Sequence, residues 1–395
     1  MPEAGFQPQR VLVDAAHALG SIAVIRSLGR AGHAVHACST QRDALGFRSQ
    51  YADFAVLSPS YESPQFPDFV RRYVAEHRIS AVIPSEGFLL AIRGHFTEFA
   101  HLLPLSQDAQ LVYRGLGKWD LFQQLQEMGH TAHLPPYQLI DLDGALQPIG
   151  ITAPAFFVKL DAVHERKPNQ YAGVLKTEQP DECRQQLAEV RPFYKKALVQ
   201  GFVAGVGCGV FFLVWDGRVV AHFMHRRLHE VPHTGGASSL RQAWWHRDIY
   251  ADALAKVKAL AWQGVVMVEY RWNPATDAFY LMEMNCRFWG SLHLALYAGV
   301  DFPRLLIDCH AGSRPPAATA TAAAAVACRD TFPREVQYVR SVCKDRRVSV
   351  RQKQKTIVEF FTLFFRRNIR SDLWFPGDRF LYWIRLYRFL RDRGA

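Results

Sequence analysis

No two cysteines in this 395-residue sequence are spaced as CxxC. The seven present (Cys38, Cys183, Cys208, Cys286, Cys309, Cys328 and Cys343) are scattered and odd in number. That excludes a disulfide framework and a zinc knuckle, and it points to a reducing compartment. Also missing is any run of about 18 apolar residues, so a membrane-spanning helix is not expected. The longest candidate, Ile357 to Phe365, is short and carries Glu359. The opening MPEAGFQPQR lacks the apolar core of a signal peptide, and the expected localisation is cytoplasmic. Acidic residues run short in one place. From Arg329 to Ala395, 17 Lys/Arg stand against 7 Asp/Glu, whereas the first 328 residues hold 30 against 29. The net charge of +11 is therefore a property of the tail. RNP-like and zinc-finger motifs are absent, and the basic excess spares the main body, so no nucleic-acid partner is expected.

What is present suits a globular chain of more than one domain: 49% hydrophobic residues, 21% charged, over 44.9 kDa. Residues 11–105 alternate strand and helix signals. Val11–Val13, Ala34–Cys38 and Ala81–Ile83 read as three strands, with a helix through Ile22, Ile25 and Leu28 that ends at Gly32. Alternation of this kind implies a parallel sheet with helices on its faces. The segment Asp14 to Gly20 is not GxGxxG, so a dinucleotide site is not expected there. Residues 106–195 carry Lys118 ahead of a helix over Trp119–Met128, then a strand, Ala155–Val158, running into Lys159. A charge ending so apolar a strand needs a partner. From 196 to 312 the pattern turns to antiparallel strands, with Asp216-Gly217 as a hairpin turn. Residues 313–328 (SRPPAATATAAAAVAC) read as a linker into a basic, aromatic-rich region reaching 395. The fold class is thus α/β followed by α+β, with a basic helical tail.

The most informative segment is Gly264 to Gly290, GVVMVEYRWNPATDAFYLMEMNCRFWG. Two strands flank a turn, and a hairpin folded about Thr276 sets Glu269 opposite Glu283. Asn285, two residues further on, shares the face of Glu283. Like charges facing each other across strands are destabilising unless a cation lies between them. Two carboxylates and an amide oxygen suit Mg²⁺, which prefers oxygen ligands and commonly binds through carboxylates plus substrate phosphates. Arg287 follows, placed for a phosphate oxygen.

Glu269 with Glu283-Met-Asn285-Cys-Arg287 resembles the E…ExNxR signature of ATP-grasp enzymes, relatives of D-alanine–D-alanine ligase and the large chain of carbamoyl-phosphate synthetase. The resemblance covers roughly residues 10–312. It implies a Rossmann-like domain over 1–105, an ATP-grasp lid and nucleotide-binding subdomain over 106–195, and a catalytic subdomain over 196–312. It further implies ATP with Mg²⁺ or Mn²⁺, with Glu269, Glu283 and Asn285 as metal ligands and Arg287 stabilising phosphate. Lys118 and Lys159 are similar to the family's two phosphate-side lysines. Gln200, Gly201, Phe202 and Val203 resemble the adenine hinge, with Gly201 where an acidic residue is usual. His233-Thr-Gly-Gly-Ala-Ser238 resembles the loop near the acyl-phosphate site, which gives His233 and Ser238 a place beside the substrate. The implied reaction joins a small-molecule carboxylate to an amine through an acyl phosphate. Ammonia, a thiol or a hydroxyl as acceptor, and a non-catalytic nucleotide sensor, stay open as alternatives. Members of the family are often dimers, so a homodimer is the implied assembly.

His225, His229 and His233 recur every four residues, but Pro232 and the strand-like Val219–Phe223 argue against a continuous zinc-binding helix face. Arg226, Arg227 and Arg241 flank this region, and either an anionic substrate or plain solvation explains them. In the tail, Phe380, Trp383, Ile384, Tyr387 and Leu390 follow helical spacing among Arg385, Arg388 and Arg391. The expected arrangement packs the aromatic side on the main body and leaves the arginines in water. Peripheral contact with an anionic membrane is the alternative.

Overall fold

The computed structural model describes residues 7–167, 171, 173–319 and 326–392. Met1–Phe6 and residues 320–325 of the Pro/Ala stretch lie outside the described residues.

Strands β1 (Arg10–Val13), β2 (Ala34–Ser39), β3 (Phe54–Leu57) and β4 (Ala81–Ile83) form a parallel sheet in the order β3-β2-β1-β4. The helix Leu19–Ala31 buries Ile22, Ile25 and Leu28 on one stripe and ends at Gly32, whose φ of 90° supplies the left-handed cap. Four strands stand where the apolar runs indicated three. The extra one, β3, is an edge strand with Phe54, Ala55 and Leu57 exposed, so it lacks the buried apolar run that marks its neighbours.

A second, antiparallel sheet is built from β5 (Tyr137–Asp141), β6 (Phe156–Lys159), β7 (Val174–Thr177) and β8 (Lys196–Gly201), in the order β5-β8-β6-β7. The helix Pro180–Val190 covers it, burying Cys183, Leu187 and Val190 against Ile140, Phe156 and Val158.

The largest sheet has eight strands: β9 (Val206–Trp215), β10 (Arg218–Val231), β11 (Ala237–Ala243), β12 (Gly264–Trp272), β13 (Phe279–Asn285), β14 (Ala318–Thr319), β15 (Ala327–Arg329) and β16 (Ile369–Ser371). Seven of them follow the order β13-β12-β9-β10-β11-β15-β16, and β14 pairs with β10. Asp216 and Gly217 both take positive φ, 48° and 71°, as a tight hairpin between β9 and β10 requires. Period-two alternation sorts the sheet into two cores. Phe211, Leu213, Val265 and Met267 face the N-terminal helix residues Ala23 and Val24. Val210, Phe212, Val266 and Val268 face Leu121 and Phe122 of the helix Lys118–Glu127 and Ile249 and Val257 of the helix Arg247–Ala259.

The tail is part of this body. Beyond adding β15 and β16, it is held by two buried ion pairs. Arg241 meets Asp372, and Arg26, fully buried, meets Asp378 at 2.8 Å. The helix Phe380–Arg391 sits the other way round from the expected arrangement. Leu381 and Ile384 pack beside Ile22 and Leu45, Arg385 donates to the Phe332 carbonyl (3.3 Å), and Arg388 pairs with Asp43 (3.4 Å). Phe380, Trp383, Tyr387 and Leu390 face solvent. Arg385 and Arg388 face inward because their long stems pack while their heads reach acceptors on the body; Arg391 is exposed. Among the described residues, no helix is long and apolar enough to cross a membrane.

Candidate active site

On the face of the large sheet that packs against the N-terminal domain, the apolar rows stop at Met267 and Phe211. One register step further, Glu269 pairs with Gly209 on one side and Glu283 on the other. The facing carboxylates expected from the hairpin are therefore in direct cross-strand register. Immediately past them β13 bulges: Glu283 opposes Glu269, but Leu281 opposes Tyr270, leaving Met282 as the extra residue. Its carbonyl accepts from Lys159 Nζ (3.3 Å) and Gln200 Nε2 (3.4 Å), side chains of β6 and β8 in the second sheet. The bulge thus supplies the contact through which the small sheet closes over the hairpin.

Five charged groups surround the two carboxylates. Glu283 lies 3.7 Å from Lys118 Nζ and accepts from Asn285 Nδ2 at 2.9 Å. Burial pushes its carboxyl up, but Lys118 and Lys159 outweigh that and hold it at about 2. Lys118 Nζ also donates to Asp161 (3.1 Å), whose other oxygen caps the helix by accepting from the Lys118 backbone amide (2.7 Å). Burial drives the Lys159 ammonium down, opposed chiefly by Glu283. Glu269 is pushed up by burial, but Arg227 donates to it directly. Burial opposes the charge on that guanidinium, while Glu269 and Glu230 together hold it charged, so we take the pair as ionised.

Arg227 reaches Glu269 from β10 by crossing β9 above Gly207. A Cβ at Gly207 would fall 2.5 Å from Glu230 Oε1 and 2.6 Å from Arg227 Cδ, so the crossing exists because that side chain is absent. Arg227 Nη1 also donates to the Gly236 carbonyl at 2.8 Å. The Gly235-Gly236 loop is thereby one arginine away from Glu269. Gly236 itself tolerates no side chain, since a Cβ would meet the Val231 carbonyl at 2.1 Å.

Several sequence-derived candidates thus converge: Glu269, Glu283, Asn285, Lys118, Lys159 and Gln200. Others stand apart. The His233 backbone and ring contact Ser341 Oγ (3.0 and 3.1 Å) and its Nε2 faces Asp345 (3.2 Å), which anchors the loop to the helix Val336–Lys344. Ser238 Oγ donates to the Leu240 carbonyl. Arg287 lies 3.5 Å from Glu86, at the start of the helix following β4. In the hinge, the Gly201 and Phe202 amides donate to Pro136 and Ala155 carbonyls, whereas the Val203 amide has no backbone acceptor among the described residues. Of the histidines, His225 meets Ser291 (3.0 Å) and His229 meets Glu335 (3.2 Å). Arg241 is spent on Asp372, and Arg226 reaches Gln242 (3.4 Å).

Sequence reasoning missed Asp161, Glu230 and the bulge at Met282, and left Arg227 undecided. Asp161 was findable, two residues beyond Lys159. It also missed Asp14, buried at the end of β1, which accepts from Tyr61 Oη (2.8 Å) and Ser85 Oγ (2.5 Å). Asp14, Ser85 and Glu86 line the carboxyl edge of the parallel sheet, where open α/β sheets bind ligands, and Glu86 touches Arg287.

The donor set accepts a hard divalent cation. All three ligands are oxygens, and Asn285 Oδ1 is left over when its amide nitrogen serves Glu283. Among the described residues no three His, Cys, Asp or Glu side chains converge as a protein-only cage. A cation held by two carboxylates and an amide would take its remaining coordination from a substrate.

Comparison with solved structures and family models bears on this geometry. Residues 194–330 match a family model described as "ATP-grasp in the biosynthetic pathway with Ter operon". The fold is similar to that of L-amino acid ligase from Bacillus licheniformis, with a TM-score of 0.59 at 15% identity over 78% of this chain and 76% of that one. Residues 194–330 thus carry the ATP-grasp match, and the fold of the chain is similar to that of this and other solved structures. Biotin carboxylase from Campylobacter jejuni, solved as a β,γ-ATP complex, superposes with a TM-score of 0.58 at 15% identity, covering 78% and 72%. The biotin carboxylase domain dimer of 2-oxoglutarate carboxylase from Hydrogenobacter thermophilus, in complex with MgADP and bicarbonate, gives 0.57 at 14% over 78% and 71%. No match is found among curated protein sequences. Strands β12 and β13 both lie within the matched residues 194–330.

Proposed function

We propose that this protein is an ATP-dependent ligase that activates a carboxylate as an acyl phosphate for attack by an amine. The observation that carries the reading is the register of Glu269 opposite Glu283, with Asn285 beside them and Lys118 and Lys159 reaching in from two other elements. Mg²⁺ bound by Glu269, Glu283 and Asn285 supplies charge neutralisation at the phosphates. Lys159, already aimed at the hairpin, offers its ammonium to the transferring phosphoryl group. Lys118 exchanges its contact with Glu283 for a phosphate oxygen. Arg287 exchanges Glu86 for the same group or for the substrate carboxylate. Adenine lies along Gln200–Val203, with the Val203 amide as donor.

In the first step a carboxylate oxygen forms a bond to the γ-phosphorus as the bond to the β-phosphate oxygen breaks, and ADP leaves. In the second the amine nitrogen attacks the acyl carbon, phosphate leaves, and the nitrogen loses a proton. Positioning and electrostatic stabilisation do this work without a covalent enzyme intermediate. Water must stay out between the steps, and the contact of Lys159 and Gln200 with the Met282 carbonyl would hold the second sheet over the site. Asp14, Ser85 and Glu86 mark where the second substrate enters. The solved complexes of β,γ-ATP and of MgADP with bicarbonate support nucleotide use by this fold, and the L-amino acid ligase supports an amine acceptor. A cytoplasmic homodimer is the assembly we infer, following the dimer named for one neighbour. The test is ADP release across a panel of carboxylates and amines, with mass spectrometry of products. An amide or peptide product supports the reading; ADP release that requires bicarbonate, with a carboxylated product, replaces it.

A further inference from the structure

The helix Phe380–Arg391 presents to solvent the side chains of Phe380 (63% exposed), Trp383 (53%), Tyr387 (65%) and Leu390 (59%). Their spacing of three, four and three residues makes one continuous stripe along the helix. Trp374, also exposed, extends it, its ring 5.9 Å from that of Trp383. A second helix, Val350–Thr362, and the turn after it expose Val350, Ile357, Val358, Phe361, Phe364 and Phe365, the last at 86%. Scattered exposed apolar residues need no explanation; two helix faces of this kind in one 67-residue region do.

The charge of the same region is sorted by depth. Of its acidic residues, Asp330, Glu335, Asp372 and Asp378 are buried, and each has a basic partner in the body or the tail: Arg334, His229, Arg241 and Arg26. Asp345 faces His233, Glu359 is half-buried, and Asp392, exposed, pairs with Arg391. Most of the basic residues do the opposite: Arg329 is buried, but Lys344, Arg346, Arg347, Arg351, Lys355, Arg366, Arg367, Arg370 and Arg379 are all exposed. Solvent therefore sees a positive field interleaved with aromatic and aliphatic side chains.

We infer that the C-terminal helices form a docking surface for an anionic lipid bilayer. Interfacial helices of this type insert aromatic and aliphatic side chains while flanking Lys and Arg meet headgroups, and Trp and Tyr favour the interface. Nucleic acid would leave Ile357, Val358 and Leu390 without a role. A second copy of the chain would bring two positive fields together. Net charge complementarity selects the bilayer.

The test is co-sedimentation of the full chain with vesicles of phosphatidylcholine alone and of phosphatidylcholine mixed with phosphatidylglycerol. The expected result is pelleting with the anionic vesicles only, weakened by salt. Trp383→Glu with Leu390→Glu, both exposed and away from the site, abolishes it. Arg366→Gln with Arg367→Gln weakens partitioning roughly fivefold per charge removed. Circular dichroism checks that both variants fold. Three results overturn the inference. One is equal or absent pelleting with both vesicle types. Another is a solution dimer dissolved by the stripe variant, with no vesicle binding. The third is RNA binding that the stripe variant leaves unchanged.

Discussion

Replacing Glu283 by Gln keeps the shape and the acceptor used by Asn285 and removes one charge from between Lys118 and Lys159. The wild-type carboxyl sits at about 2 rather than 4.5, which corresponds to about 3 kcal/mol favouring the ionised folded form. Solvent reaches a quarter of the side chain, so the expected loss of stability is smaller, about 2 kcal/mol at neutral pH. The sign with pH follows from linkage. A carboxyl with a depressed folded value contributes fully above its unfolded value, 4.5, and loses that contribution as pH falls towards about 2. The thermal midpoint of Glu283→Gln should therefore lie below wild type at about pH 7 and about pH 5, and the gap should narrow at about pH 3. ADP release should fall on the order of a thousandfold, since a ligand of the proposed cation and the partner of two phosphate-side lysines are lost together. The two readouts are separable. Undiminished ADP release with excess Mg²⁺ refutes the catalytic assignment. A gap that is absent, or constant at every pH, refutes the electrostatic reasoning.

Arg227→Met strands Glu269 without its guanidinium, while Glu230 keeps Arg271 at 2.8 Å, at a cost of about 3 kcal/mol. Adding Glu269→Gln should restore part of that stability and none of the activity; double-mutant unfolding shows whether the two couple. Gly207→Val places atoms where Arg227 crosses β9, so it should mimic Arg227→Met in activity assays, and wild-type activity there would disprove the crossing argument. Asp330 is raised to about 7 by burial first and by Asp372 second. A carboxyl raised on folding destabilises the native state as pH climbs from 3.8 to about 7 and fully above it. Asp330→Asn should accordingly raise the thermal midpoint more at about pH 8 than at about pH 5, and an equal effect at both would rule out ionisation of Asp330 as the cause.

Much of this site was readable because strand geometry is periodic. A hairpin folded about Thr276 sets Glu269 opposite Glu283, and that pairing is found, although the pairs nearer the turn run half a residue earlier and the bulge at Met282 is what brings the two carboxylates into register. Lys159 was readable for the same reason, as a charge on a buried apolar strand with no local partner. The turn at Asp216-Gly217 declared itself through residues that tolerate positive φ. None of this reasoning reaches across the chain. Edge strand β3 escaped notice because its side chains stay in solvent, and burial, not strand pairing, is what a pattern of apolar residues records.

The partner of Glu269 illustrates the harder limit. Arg227 lies 42 residues away, on a strand that is not the neighbour of β12, and the two meet because Gly207 opens the intervening strand. No local period marks such a contact, and an arginine on a half-polar strand reads equally as surface. The tail shows the same limit with opposite consequence. Helical spacing placed Phe380, Trp383, Ile384, Tyr387 and Leu390 on one face, but which side packs depends on Ile22, Leu45, Asp43 and the Phe332 carbonyl, all distant in sequence, and Ile384 turns inward with Leu381. Those partners favour Leu381 and the arginine heads, and so the aromatic stripe is turned outward. Periodicity identifies a face; the partner that the rest of the chain presents decides its direction. In this protein that decision leaves an unpartnered apolar stripe in a positive field.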